Sequence, residues 1–322
     1  MDRLFQTAVL NVDVQLNRKM RLHWNSELSV FQDFLARHKL SRHLRSLVVQ
    51  FIVQTPICRK VDLKGFAGHI CSMIMHLHKP ETLTVIIPPP LMPYLVPHGY
   101  PGPAHDEAWI SNAPPHVLTC TRSAESPIMQ TDVNLHPHLG LWKHCYSSIT
   151  LSEASTRIYG PNQYYRKNQP SLFGSGQFQL LIKCDWHCWL REFGYIATFP
   201  ITLHVHKIFG ILRDLHCLEA LVVQFAPTKS NIIFSDTPLI GRHNVSDFGD
   251  FPKCYREALQ FVREMSLSHR LKLFRSLDWQ NYAGTIKPEV EVYLQDWTFS
   301  GDSWRKPTRE DETDVGAMSS FD

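Results

Sequence analysis

Two stretches of this chain are near-copies of each other. Residues 42–51 read RHLRSLVVQF and residues 215–225 read LHCLEALVVQF. Both end in the same run, LVVQF, which is short, apolar and β-branched, the pattern of a buried strand. Ahead of the first, Leu28, Phe31 and Leu35 fall at helical spacing; ahead of the second, Ile201, Val205, Ile208, Leu212 and Leu215 do the same. A chain that twice passes from amphipathic helix straight into a buried strand is constrained to an α/β architecture.

The unit recurs. The last leucine of each clear helix and the central leucine of the next strand form the pairs Leu40 and Leu47, Leu77 and Leu83, Leu215 and Leu221, Leu267 and Leu273. Their separations are 7, 6, 6 and 6 residues. Strand centres then follow at Leu47, Leu83, Leu118, Ile149, Leu181, Leu221 and Leu273, in steps of 36, 35, 31, 32, 40 and 52. One strand per 30–40 residues predicts an irregular leucine-rich-repeat-like solenoid with parallel strands and long inserted loops. Ordinary leucine-rich repeats are shorter, about 20–29 residues. The competing architecture is an ordinary doubly wound α/β sheet, and no glycine-rich phosphate loop follows any strand to favour its nucleotide-binding form.

The spacing predicts strands over 9–16 (at a sheet edge), 44–53, 83–87, 117–120, 147–151, 179–183, 218–225 and 271–277. It predicts helices over 26–38, 61–78, 201–215 and 251–267. Residues 88–115 are a proline-rich loop, because proline removes donors and forbids helix. Residues 140–176 form an aromatic-rich insertion. Residues 1–300 thus read as one repeat domain, and 301–322, polar and low in apolar residues, as a disordered tail.

Composition limits the function classes. A net charge of +3 over 322 residues, with no basic run, does not favour nucleic acid as a partner. No segment approaches the ~20 apolar residues that a membrane span needs, and the first residues lack the apolar run of a signal peptide. The eight cysteines lie mostly in apolar segments, where reduced buried thiols are expected rather than a disulfide scaffold. The reading is an intracellular protein, cytoplasmic or nuclear.

Chemistry-bearing clusters are weak. Cys184, Asp185, His187 and Cys188 crowd together without the second separated pair that structural zinc uses. His76 and His78, His136 and His138, and His204 and His206 are spaced i, i+2, and on a helix such pairs diverge. Gly174-Ser175-Gly176 lacks the flanking spacing of a nucleophile elbow, and Asp106 and Glu107, adjacent in a proline-rich loop, set no defined geometry. No catalytic, cofactor or metal residue is assigned. The aromatic residues Trp142, Tyr146, Tyr159, Tyr164 and Tyr165 are the candidate partner-binding set, since aromatic side chains dominate interface hot spots.

The order of several segments resembles the repeat region of filamentous-fungal F-box proteins. These are PETLTVIIPPPL, DEAWISNAPPHVLTC, LHPHLGLWKHCYSSITLSEASTRIYGPNQYYRKNQPSLFG, HVHKIFGILRDLHCLEALVVQF and FPKCYREALQFV. The resemblance spans about residues 28–279. It implies a leucine-rich-repeat-like substrate-recognition scaffold without enzymatic activity, belonging to a ubiquitin-ligase adaptor. Such proteins carry a helical F-box that docks the Skp adaptor. Residues 1–40 lack its Leu-Pro-x-Glu pattern and read as the first strand and helix of the repeat. The expected function is therefore protein interaction, with a partner of unknown identity and the Skp adaptor as partner only through an F-box missing from this chain. The alternative is a metal-dependent or hydrolytic α/β enzyme using the histidine-rich loops.

Overall fold

The computed structural model describes residues 6–16, 22–24, 27–40, 43–53, 80–89, 92, 95, 115–123, 145–153, 172, 189–198, 200–226, 250–268 and 271–307. These form an α/β fold around one open sheet of eleven strands. In chain order the strands are β1 (Thr7–Leu16), β2 (Leu22–Trp24), β3 (Ser46–Val53), β4 (Thr82–Ile87), β5 (His116–Thr121), β6 (Ser148–Glu153), β7 (Glu192–Ala197), β8 (Ala220–Gln224), β9 (Leu273–Ser276), β10 (Thr298–Ser300) and β11 (Ser303–Arg305). The helices are α1 (Glu27–Arg37), α2 (Thr202–Leu212), α3 (Phe251–Ser268) and α4 (Trp279–Tyr293).

Across the sheet the order is β10-β11-β9-β8-β7-β6-β5-β4-β3-β1-β2. From β3 to β9 each strand lies beside its predecessor in sequence, and the order never reverses. Parallel pairing joins β1 to β3, β3 to β4, and β6 through β9. At both ends the run closes with short antiparallel strands, β2 on β1 and the β10–β11 hairpin on β9. Short antiparallel edges of this kind limit how far a sheet can template further pairing.

Strand period two sorts the side chains onto two faces. On one face the register aligns Ala8, Leu47, Leu83, Cys120, Ile149, Phe193, Leu221, Phe274 and Trp304, each pairing with the next. A second row of Val49, Val85, Leu118, Leu151, Tyr195 and Val223 runs beside it. All of these are buried and join the inward residues of α2 and α3 in one core. Full burial of one such Leu, Val or Phe is worth roughly 1.5–3 kcal/mol, so a one-residue slip of any strand would cost several of these at once.

The opposite face carries Val48, Thr84, Thr119, Thr150, Gly194, Val222 and Arg275 in one register row. Apart from Gly194 and the exposed Arg275, these positions are half-buried. Gly194 is fixed by close approach: a Cβ there would lie 2.7 Å from Thr150 Oγ1 and 3.0 Å from Thr150 Cγ2.

Several expectations change. The all-parallel run is broken at β5, which is antiparallel to both β4 and β6. β4 therefore ends, and β5 begins, on the same edge of the sheet. The sixth position of the leading buried row belongs to Phe193 in β7, a strand the sequence pattern does not predict. Leu267 is 78% exposed, so the link from α3 to β9 runs instead through buried Met265, Leu271 and Phe274. The tail expected to be disordered from residue 301 contains β11, whose Trp304 is 3% exposed. α4 was not anticipated; Gly284 and Pro288 interrupt its pattern, and its backbone leaves helical geometry at Tyr282 (φ −132°, ψ 20°). β1 lies next to the end of the sheet, and β2 covers only its last three residues, Val14–Leu16. The expected helix over 61–78 and strand over 179–183 lie outside the described residues. Among the described residues, no helix is long and apolar enough to cross a membrane.

Candidate functional site

The buried face is apolar except along one edge. Parallel strands β6, β7, β8 and β9 deliver their carboxyl ends there, and the first turns of α2, α3 and α4 begin beside them. Glu153 ends β6, and its Oε2 accepts the Tyr195 O–H at 2.8 Å and lies 2.8 Å from His204 Nε2. An ionised carboxylate only accepts, so His204 presents its Nε2–H to Glu153. Both side chains are nearly closed to solvent, at 9% for His204 and 4% for Glu153. Burial, then the neighbouring Glu153 charge, holds the Tyr195 phenol well above its ordinary range, so it remains a proton donor. The register extends this edge to His116, itself buried, one step beyond the Val117–Ser152 pair and thus beside Glu153.

A second polar group lies at the ends of β8 and β9. Asp278 Oδ2 accepts the Phe225 N–H at 2.5 Å and the Tyr255 O–H at 2.6 Å, and its Oδ1 accepts the Ala226 N–H at 3.2 Å. Tyr255 spends its one proton on Asp278, so the Ser276 hydroxyl, 2.7 Å away, donates to the phenol oxygen. Between the two groups, Cys254 donates to the Pro200 carbonyl at 3.3 Å, and burial pushes its thiol up to about 12. Such a thiol stays protonated at neutral pH and is a weak nucleophile.

These groups tie strands to helices. The Glu153 group joins β6, β7 and α2, and the Asp278 group joins β8, β9, α3 and α4. Among the described residues, no set of three or more His, Cys, Asp or Glu is arranged to hold a metal ion. His204 and His206 diverge on α2 as helical geometry requires: His204 meets Glu153, while exposed His206 meets Glu257 Oε2 at 2.8 Å on α3. The sequence flagged His204 only as half of a histidine pair. Glu153, Tyr195 and Asp278 carried no local signal, because their partners lie 23–53 residues away in the chain.

Of the aromatic candidates, Tyr146 is 4% exposed and belongs to the core just before β6. Trp142, Tyr159, Tyr164 and Tyr165 lie outside the described residues. So do Cys184, Asp185, His187, Cys188, His76, His78, His136, His138, Asp106, Glu107 and the segment 174–176.

The accessible surface on the sheet is its other face. Thr82, Thr84, Thr119, Thr121, Ser148, Thr150 and Ser152 point there from three adjacent strands. Thr84 and Thr119 approach within 3.4 Å, hydroxyl to hydroxyl. Ser and Thr hydroxyls can donate or accept, and the interspersed Val48, Ile86 and Val222 add apolar area. What the fold and its polar edge define is an α/β protein on an open sheet, most of whose strands run in one direction. No protein-family model, curated protein or solved structure matches the chain.

Proposed function

We propose that this chain is a non-enzymatic protein-interaction scaffold: an irregular leucine-rich-repeat-like solenoid, similar to the substrate-recognition region of F-box proteins. The observation that carries this reading is the strand order. From β3 to β9 every strand is added beside its predecessor. Crevice-binding α/β proteins reverse strand order at a switch point, and their ligands bind there. A sheet that grows in one direction offers a continuous side-chain face instead, the surface that repeat proteins generally use for partners. Closure of both ends by antiparallel strands agrees with the capping that repeat arrays need. The buried carboxylates of the polar edge act as ties between elements on this reading.

The partner face is the half-buried row through Thr84, Thr119 and Thr150. The aromatic insertion stays in the proposal through Trp142, Tyr159, Tyr164 and Tyr165. The protein works inside the cell, with the Skp adaptor as partner only where an F-box is supplied.

Affinity purification of the tagged chain from native lysate tests this, alongside Thr119→Lys and Thr150→Lys. The expected result is a stoichiometric protein partner held by the unmodified chain and lost from both variants, whose melting temperatures stay unchanged. Retention of the partner by both variants removes the sheet face from the proposal. Absence of any stoichiometric partner overturns the scaffold itself, and recovery of the Skp adaptor brings the ligase role in.

A further inference from the structure

One register row crosses the amino-terminal edge of the parallel strands. Backbone bonds run along it, from the Arg122 N–H to the Glu81 carbonyl at 2.8 Å, Arg191 to Ser147 at 2.8 Å, Glu219 to Arg191 at 2.7 Å, Lys272 to Glu219 at 2.8 Å and Lys306 to Lys272 at 3.0 Å. With Arg45, whose carbonyl accepts the Thr82 N–H, the row sets Arg45, Arg122, Arg191, Lys272 and Lys306 against Glu81 and Glu219. Those two carboxylates are already taken, Glu219 by Arg191 at 3.0 Å and Glu81 by Arg45 at 3.9 Å. Lys306 spends its Nζ on the Ser266 carbonyl at 2.6 Å, near the end of α3. Lys272 is exposed; Arg122 is half-buried, and among the described residues its Nε meets no acceptor. Beside the row, exposed Glu192 and Asp214 are offset in part by exposed Arg305, so the excess of positive charge belongs to the row itself.

The chain leaves β11 at one end of this row and then turns acidic. Lys306 lies beside Lys272, and the sequence continues PTREDETDV, with Glu310, Asp311, Glu312 and Asp314 against Arg309. From residue 308 on, these lie outside the described residues. We propose that the acidic run 310–314 lies across the amino-terminal edge of the sheet, its carboxylates against Lys272, Arg191 and Arg122. The contact holds whether or not the sheet face binds a partner.

Reach and order agree with it. Neighbouring strands stand about 4.8 Å apart, so Arg191 on β7 is about 14 Å along the edge from β11, and Arg122 after β5 about 24 Å. An extended chain advances about 3.3 Å per residue, which puts Glu310 about 13 Å and Asp314 about 26 Å from Lys306. The run can therefore meet the cations in the order in which the strands present them. Each exposed pair is weak and screened by salt. Tethering compensates, because a short connection holds the run near its site at about millimolar effective concentration. The edge is thereby a site for an acidic segment, filled by the chain's own.

Zero-length carbodiimide cross-linking of the full chain at low ionic strength, followed by peptide mapping, tests this. The native Lys272 amine is expected to join Glu310 or Asp311. Arg191→Lys and, separately, Arg122→Lys place amines further along the edge, expected to join Asp311 or Glu312 in the first and Asp314 in the second. Yields fall several-fold at about 1 M salt, where the screening length is about 3 Å. Arg275→Lys is the control, because it puts an amine on the same strand as Lys272 but in the row of the opposite face. In mixtures of nitrogen-15-labelled and unlabelled protein, the links stay within one chain. Absence of a link at Lys272 overturns the proposal, and so does an equal yield from Arg275→Lys. Links between chains, or yields indifferent to salt, overturn it as well. Should an arginine variant not fold, the native Lys272 link, its salt dependence and its confinement to one chain decide.

Discussion

Arg191 holds Glu219 twice: its carbonyl accepts the Glu219 N–H at 2.7 Å, and its guanidinium donates to Glu219 Oε1 at 3.0 Å. The backbone half of this contact recurs along the sheet. The Arg191 carbonyl also takes the Ala220 N–H, so one acceptor receives the first two donors of the next strand. The Gln6 carbonyl does the same for Arg45 and Ser46, Ser147 for Arg191 and Glu192, and Glu219 for Lys272 and Leu273. Each fork stands where a strand starts beside its parallel neighbour. The side-chain half recurs more loosely at the same step, between Arg45 and Glu81 at 3.9 Å.

The forked backbone bonds set the register, and the Arg191–Glu219 ion pair adds little to it. Both side chains are about 40% exposed, where an ion pair contributes roughly 0–1 kcal/mol. A double-mutant cycle of Arg191→Ala and Glu219→Ala in urea is expected to give a coupling below about 1 kcal/mol that shrinks in high salt. A salt-insensitive coupling of about 2 kcal/mol or more would mean the charges, and not the backbone, align β7 with β8.

The sequence was most legible where one segment carried its own pattern. LVVQF at 47–51 and 221–225 became β3 and β8, and the Ile201–Leu212 periodicity became α2, because aliphatic burial and local spacing agreed there. β7 was hidden by Gly194: its Phe193, Tyr195 and Ala197 alternate correctly, but glycine weakens a strand reading. Only the tertiary contact with Thr150 explains why glycine stands there. Leu267 misled for the opposite reason, since helical spacing placed it near an inward stripe that ends at Met265. The direction of β5 was not readable at all, because a strand looks the same whichever way it is traversed. The polar edge was invisible for a related reason: Glu153 and Asp278 find their partners through topology, which local pattern does not encode.

Glu153 satisfies two buried donors, so its loss is expected to cost more than the loss of either donor. Tyr195→Phe removes one bond to a charged acceptor, worth about 2 kcal/mol. Glu153→Leu leaves both Tyr195 and His204 without that acceptor, a cost on the order of 4 kcal/mol. In the double variant the penalty falls below the sum, because the stranded phenol is gone. Urea unfolding of the three proteins checks this, and simple additivity would show that Tyr195 does not depend on that carboxylate.

Gly194→Ala is expected to destabilise the sheet by about 1–3 kcal/mol, because the added methyl meets Thr150 and must displace it. Thr150→Ala removes the two nearest atoms but leaves its Cβ at 3.2 Å, so the double variant should recover part of the loss. A Gly194→Ala protein as stable as the unmodified chain would show that Thr150 rotates away freely. The outer face would then be looser than its register implies.

Trp304 carries the core into β11. Its ring stands 4.8 Å from Trp279 in a T-shaped arrangement, 4.8 Å from Phe299 and 5.5 Å from Phe274. It thereby closes the buried row that begins at Ala8, pairing with Phe274 across β11 and β9. Removal of a buried aromatic ring typically costs about 3–5 kcal/mol, part of it from the cavity left behind. Trp304→Ala should therefore lower the urea midpoint sharply. The hairpin is also a cap: β10 and β11 stand between β9 and the open end of the sheet. The same Trp304→Ala protein should accordingly self-associate at concentrations where the unmodified chain sediments as one species, since a loosened hairpin uncovers the β9 edge. Unaltered stability in Trp304→Ala would make residues 301–307 a tail after all, and β9 the true end of the fold.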